Sequence, residues 1–107
     1  MTWRAYLLRC ADDSLYAGVT NDVPRRVAAH AAGKGARYTR ARLPVVLAWK
    51  SPSLAKAAAH RLEWRLKQLG RGDKLILSGP STNVRRRLLR RLLEGLRQPA
   101  QVGAVAD

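Results

Sequence analysis

Acidic residues are scarce in this chain. Seven Asp and Glu stand against 21 Lys and Arg, a formal net charge of +14 in 107 residues. The carboxylates are Asp12, Asp13, Asp22, Glu63, Asp73, Glu94 and Asp107, and none falls between Val23 and Leu62. A two-metal cage of acidic ligands is therefore hard to build. Cysteine is nearly absent: Cys10 stands alone, which excludes a disulfide framework within the monomer and fits a reducing compartment. Its apolar, strand-like surroundings predict a small buried hydrophobe. No run approaches the ~20 apolar residues that span a bilayer. The short apolar run at the N-terminus is broken by Arg9 and does not read as a signal peptide. The expectation is a cytoplasmic protein with no membrane partner. Internal repeats and a dividing linker are also missing.

What is present is charge on a chain that can fold. Hydrophobic residues make up 47%, enough for a core in one domain of this length. A positive charge of this size on a small surface favours a polyanion, because each phosphate contact releases condensed counterions. Nucleic acid is the expected partner.

Thr2 to Arg9 reads as a strand, Ala11-Asp12-Asp13-Ser14 as a turn, and Leu15 to Thr20 as a second strand of a hairpin. Gly18 inside that strand predicts a bulge or the close approach of another backbone or a ligand. Asn21 or Asp22 can cap a helix that begins near Val23 with Pro24 in its first turn, and that ends near Gly33. Residues 33 to 43 read as an ordered, Gly-rich basic loop. Pro44 to Lys50 is a third strand. Ser53 is the expected cap of a helix running to about Leu69, with Leu54, Ala58, Leu62, Leu66 and Leu69 as its buried stripe. Lys74 to Leu77 fits either a short helix or an apolar connector. Thr82 or Asn83 opens a last helix with Val84, Leu88, Leu89, Leu92, Leu93 and Leu96 on one face and arginines over much of the rest. Trp3, Trp49 and Trp64 are expected in the core rather than as base-stacking platforms.

Two tyrosines, Tyr6 and Tyr16, thus lie on adjacent strands, beside a helix carrying Arg26 and, one turn later on the same face, His30. In order and spacing these residues resemble the GIY-YIG nuclease family. Arg4-Ala5-Tyr6 stands where that family has Gly-Ile-Tyr, and Tyr16-Ala17-Gly18 where it has Tyr-Ile-Gly. Arg26 stands at the spacing of the family's catalytic arginine, His30 where relatives carry histidine or tyrosine, and Glu63 where they carry a metal-binding glutamate. The run Gly33 to Arg40 resembles a stretch of small stand-alone bacterial members. The likeness covers roughly residues 2 to 78. Val19 departs from it, standing where some catalytic relatives have a lysine; Lys34 or Arg40 from the loop are the candidates to replace that lysine.

The resemblance implies an α/β (α+β) fold, a three-stranded mixed or antiparallel sheet flanked by helices, over residues 1–78. An extra basic helix over 79–97 would pack on or be appended to it, followed by a disordered tail over 98–107. It implies a divalent-metal-dependent DNA endonuclease, linked to repair or recombination. Arg26 would stabilise phosphate oxygens with its planar fork of donors. Glu63 would hold one ion, Mg²⁺ or Mn²⁺; its bland role is a surface partner of Lys67, at helical spacing. Tyr6 or Tyr16 would take the proton of the attacking water, with Tyr16 preferred, and His30 would orient a tyrosine or that water. Arg25, Lys34, Arg37, Tyr38, Arg40, Arg86, Arg87 and Arg90 are the candidate nucleic-acid contacts, with RNA open beside DNA; Tyr38 and Arg40 could equally pack the loop. A catalytically weak binding module is one alternative. Another is a nuclease subunit whose leucine-lined last helix docks a partner protein or a second copy, which would leave Leu88, Leu92 and Leu96 exposed.

Overall fold

The computed structural model describes residues 2–96; the expected tail over 98–107 lies outside them. Three strands, β1 (Arg4–Arg9), β2 (Leu15–Thr20) and β3 (Val46–Lys50), form one sheet in the order β2-β1-β3. Both pairings are antiparallel, so the sheet is not mixed. The hairpin keeps Tyr6 opposite Gly18 and Leu8 opposite Tyr16. Five helices complete the fold: α1 (Val23–Ala31), α2 (Arg37–Arg40), α3 (Lys56–Gln68), α4 (Arg71–Ser78) and α5 (Asn83–Leu93).

The central strand β1 is apolar at consecutive positions because both its faces are covered. Ala5 and Leu7 point to one side, where they join Ala17, Trp49 and the buried residues of α3, α4 and α5, including Leu62, Leu66, Leu77, Leu88 and Leu92. Tyr6, Leu8 and Cys10 point to the other, with Val45, Tyr16 and Val27. Strand alternation therefore puts both tyrosines on the α1 side of the sheet. On α1, Asp22 is the cap: its carboxylate accepts from the Arg25 backbone N–H at 3.1 Å, and Pro24 sits in the first turn, where no donor is lost.

Several expectations need correction. Ser53 does not cap α3; the helix starts at Lys56 after Ala55, with no side-chain cap. Leu54 exchanges backbone hydrogen bonds with Trp3 at 2.8 and 2.9 Å, which holds that segment extended and delays the helix. The segment from 33 to 43 is not all loop, since Arg37–Arg40 closes one helical turn. Lys74 to Leu77 belongs to α4. Trp49 is buried and Trp3 half-buried, but Trp64 is 63% exposed. It lies on the side of α3 opposite Leu62 and Leu66, where helical periodicity turns it outward. The leucines of α5 are not an open docking face: Leu88, Leu92 and Leu96 are buried with α3 and α4, and only Val84 of that stripe is exposed. Thr82 caps α5 by accepting from the Arg85 N–H at 3.1 Å.

Candidate active site

The site is built on the α1 side of the sheet, around a buried histidine. His30, in the last turn of α1, has no solvent exposure. Its Nε2 lies 3.0 Å from the Tyr6 hydroxyl and its Nδ1 2.7 Å from the Thr39 hydroxyl. The direction of this chain of hydrogen bonds follows from its far end. The Thr39 hydroxyl donates its single proton to the Ala36 carbonyl at 3.0 Å, so toward His30 it can only accept. His30 therefore carries its proton on Nδ1, leaving Nε2 as acceptor, and the Tyr6 hydroxyl donates to it. Thus Ala36, Thr39, His30 and Tyr6 form one polarised relay from α2 to the central strand.

Two glycines make room for it. A Cβ on Gly18 would fall on the Tyr6 ring, and one on Gly35 would fall on the His30 ring. The close approach at Gly18 is thus a tyrosine ring, and the β1–β2 register runs past it without a bulge.

Arg26, one turn before His30 on α1, is half-buried and close to the Tyr6 hydroxyl. Burial pushes the Tyr6 phenol above its ordinary value of 10.0, and the hydrogen bond and charge of Arg26 pull against that rise, while Tyr16 and Glu63 add to it. The neutral form of His30 is favoured too: burial lowers its pKa below the ordinary 6.5, and the Arg26 charge lowers it further. Tyr6, Tyr16, Arg26, His30 and Glu63 are thus brought into one electrostatic neighbourhood, with Glu63 reaching it from α3. Glu63 is also 3.5 Å from Lys67, one turn along, so its bland partner is present as well.

Tyr16 is half-buried, its ring 5.4 Å from that of His30 and stacked at 5.8 Å on Tyr38. The Arg42 guanidinium lies 3.8 Å from the Tyr38 ring centre and is tied to Asp12 at 3.0 Å. Tyr38 thus packs against Tyr16 and Arg42 while remaining 38% exposed, and Arg40 is exposed as well. Arg25 and Arg26 line a cleft of about 550 Å³ with Thr20, Asn21, Asp22 and Ala29. Lys34 and Arg37 are exposed on the same side of the sheet as α1. Arg86, Arg87 and Arg90 are exposed on α5, on the other side. The basic candidates thus form two groups, not one.

Gly35, Thr39 and Arg42 belong to this arrangement and were not among the candidates. Gly35 and Thr39 stood in the run likened to small relatives, but nothing in their spacing from His30 signals a contact across a loop. For a metal, the residues present fit a narrow description. Among the described residues no three of His, Cys, Asp and Glu cluster. Glu63 is the carboxylate whose charge reaches Tyr6, and a single oxygen ligand suits a hard cation that takes its other ligands from phosphate and water.

The chain was compared with known proteins. The GIY-YIG catalytic domain family matches residues 2–76. The UPF0213 protein of Xanthomonas campestris pv. campestris is 51% identical over 73 residues, covering 68% of this chain and 72% of that one. The UPF0213 protein of Halobacterium salinarum is 49% identical over 69 residues, 64% of this chain and 90% of its own length. A UPF0213 protein of Bacillus halodurans solved by solution NMR is 40% identical, with 81% of this chain and 94% of that chain covered and a TM-score of 0.44.

Proposed function

The chain belongs to the GIY-YIG catalytic domain family, and from that premise we propose that it is a divalent-metal-dependent endonuclease that hydrolyses DNA phosphodiester bonds, selective for substrate structure and serving repair or recombination in the cytoplasm. The observation that carries this reading is the gathering of Tyr6 and Tyr16 around His30, with Arg26 one turn away on α1 lining the adjoining cleft. In the reaction, water forms a new bond to phosphorus as the bond to the leaving sugar oxygen breaks. The guanidinium of Arg26 donates to the phosphate oxygens whose charge grows in the transition state. The leaving sugar oxygen takes a proton from solvent, and Tyr16, acting as its phenolate, accepts the proton of the attacking water. Tyr6 is the weaker candidate for that step, since burial raises its pKa and its proton is directed at His30. The Tyr6–His30 pair instead fixes the wall of the site. Glu63 would hold one Mg²⁺ or Mn²⁺, which when bound would neutralise charge on the phosphate and the leaving oxygen.

The test is cleavage of labelled duplex, single-stranded, flap and four-way-junction DNA, and of RNA, with Mg²⁺, with Mn²⁺ and with chelator. Metal-dependent cutting that Glu63→Ala abolishes while binding survives supports the reading. Salt-sensitive binding without cutting by either protein supports the second reading, a binding module without strong catalysis. The observation in favour of that alternative is Val19, which stands where some catalytic relatives carry lysine.

A further inference from the structure

Trp64 is the most exposed of the large hydrophobic side chains described, at 63%. The other partly open aromatic rings are engaged: Trp3 lies beside His60 and under Lys56, and Tyr38 beside Tyr16 and under Arg42. Among the described residues no ring or cation is stacked on Trp64. It borders a groove of about 300 Å³ with Arg65, Gln68, Arg91, Leu92 and Glu94. Arg65 is held there by the Leu92 and Glu94 carbonyls at 2.8 and 3.0 Å; with Arg91 it sets two cations in the lining against the one carboxylate of Glu94. Arg91 is exposed on the groove's α5 wall.

We propose that Trp64 is a stacking platform for an unpaired base of single-stranded nucleic acid, with Arg65 and Arg91 beside it for the phosphates. An open aromatic face next to cations is the combination that binds single strands without reading their sequence. A duplex cannot use it, because its base faces are already stacked inside the helix. Charge favours this occupant over a protein, since the chain as a whole carries +14. The platform also adjoins Glu63, the proposed metal ligand. Trp64 follows Glu63 on α3, their side chains about 100° apart around the helix axis, so a strand leaving Glu63 across the outer face of α3 meets Trp64 and then α5. This inference rests on the reading of the chain as a nucleic-acid enzyme, and it gives that enzyme a substrate class: strands unpaired next to the cut.

The experiment measures binding of a 12-nucleotide oligo(dT) and of a 12-base-pair duplex in chelator, so that cleavage plays no part, for wild type, Trp64→Ala and Trp64→Phe. The expected result is an affinity for oligo(dT) about 5- to 150-fold weaker in Trp64→Ala, recovered in large part by Trp64→Phe, with duplex affinity unchanged. Because Trp64 is mostly outside the core, all three proteins should share one melting temperature, which is recorded alongside. Equal oligo(dT) binding by wild type and Trp64→Ala overturns the platform while leaving the nuclease reading intact. Parallel loss for oligo and duplex overturns it too, as does a concentration-dependent mass of wild type that Trp64→Ala abolishes with oligo binding unmoved, which would make this face a contact between copies. Binding of neither polymer removes both readings.

Discussion

Thr39→Val replaces a hydroxyl by a methyl of the same shape at a position with no solvent exposure. Two hydrogen bonds are lost, and they are not equivalent. The Ala36 carbonyl still accepts from the Arg40 N–H at 3.0 Å, so it is not orphaned. The His30 Nδ1–H is left with nothing to donate to at 2.7 Å. An unsatisfied buried donor costs about 1–3 kcal/mol, and in a domain of this size each kcal/mol lowers the melting temperature by about 4–8 °C. The variant should therefore melt about 4–24 °C below wild type. His30 has one escape, which is to move its proton to Nε2 and donate to the Tyr6 oxygen, reversing the relay. Nitrogen chemical shifts of a ¹⁵N-histidine sample read this directly: the Nδ1–H form in wild type and a shift toward Nε2–H in Thr39→Val. Thr39→Ser keeps the hydroxyl and should keep the wild-type tautomer. A wild-type histidine protonated on Nε2, or a Thr39→Val protein with unchanged tautomer and melting temperature, would refute the assignment of direction.

Four further outcomes follow from the same structure. Arg26→Ala should fold and should cut about 10²–10³-fold more slowly or worse; its His30 pKa should rise, because Arg26 holds it down, and histidine proton NMR against pH would show this. Gly35→Ala puts a methyl on the His30 ring and should cost about 1–3 kcal/mol by overpacking, read by urea unfolding. Leu92→Ala removes a core leucine of α5 and should cost about 2–5 kcal/mol; a loss under 1 kcal/mol would mean that the helix is only loosely attached. Stability should fall on both sides of neutrality. The folded His30 pKa lies below 6.5, so the unfolded chain binds the extra proton first and stability drops as pH falls below about 6.5; the folded Tyr6 pKa lies above 10.0, so stability drops again above about pH 10. Urea midpoints across this range check both limbs, and a His30→Gln protein should lack the slope due to this group on the acid side.

The elements legible in the sequence were those whose signals are local. The second strand, the Asp22 cap with Pro24, the core stripe of α3 and the Thr82 start of α5 all rest on side chains acting within a turn of themselves. Misplaced features depend on distant partners. Ser53 has the chemistry of a cap, but the Trp3–Leu54 bridge takes its neighbour. Trp64 is the exception: it has the composition of a core residue, but it stands off the Ala58–Leu62–Leu66 stripe and helical periodicity turns it outward. The same distinction holds in the site. Tyr6, Tyr16, Arg26 and His30 sit at short, regular spacings on a hairpin and the helix after it. Thr39, Gly35 and Arg42 enter by folding a basic loop back onto that helix, a contact that no periodicity encodes.

The two tyrosines look alike in sequence, and the fold gives them different surroundings. Tyr6 lies on the central strand, enclosed beneath α1, opposite a glycine that its ring covers. Its hydroxyl has His30 to receive its proton at 3.0 Å, and burial raises its pKa, so at neutral pH it has reason to remain a phenol. Tyr16 lies on an edge strand, half-buried, its ring between those of His30 and Tyr38. Of the pair it is the one a solvent-borne proton can reach. A comparison of Tyr6→Phe and Tyr16→Phe therefore separates the roles: loss of the Tyr16 hydroxyl should abolish cleavage at unchanged stability. Loss of the Tyr6 hydroxyl leaves His30 Nε2 without its donor and should lower the melting temperature as well as the rate. Equal effects of both changes on rate, with no effect of either on stability, would remove the distinction between a proton acceptor and a fixed wall.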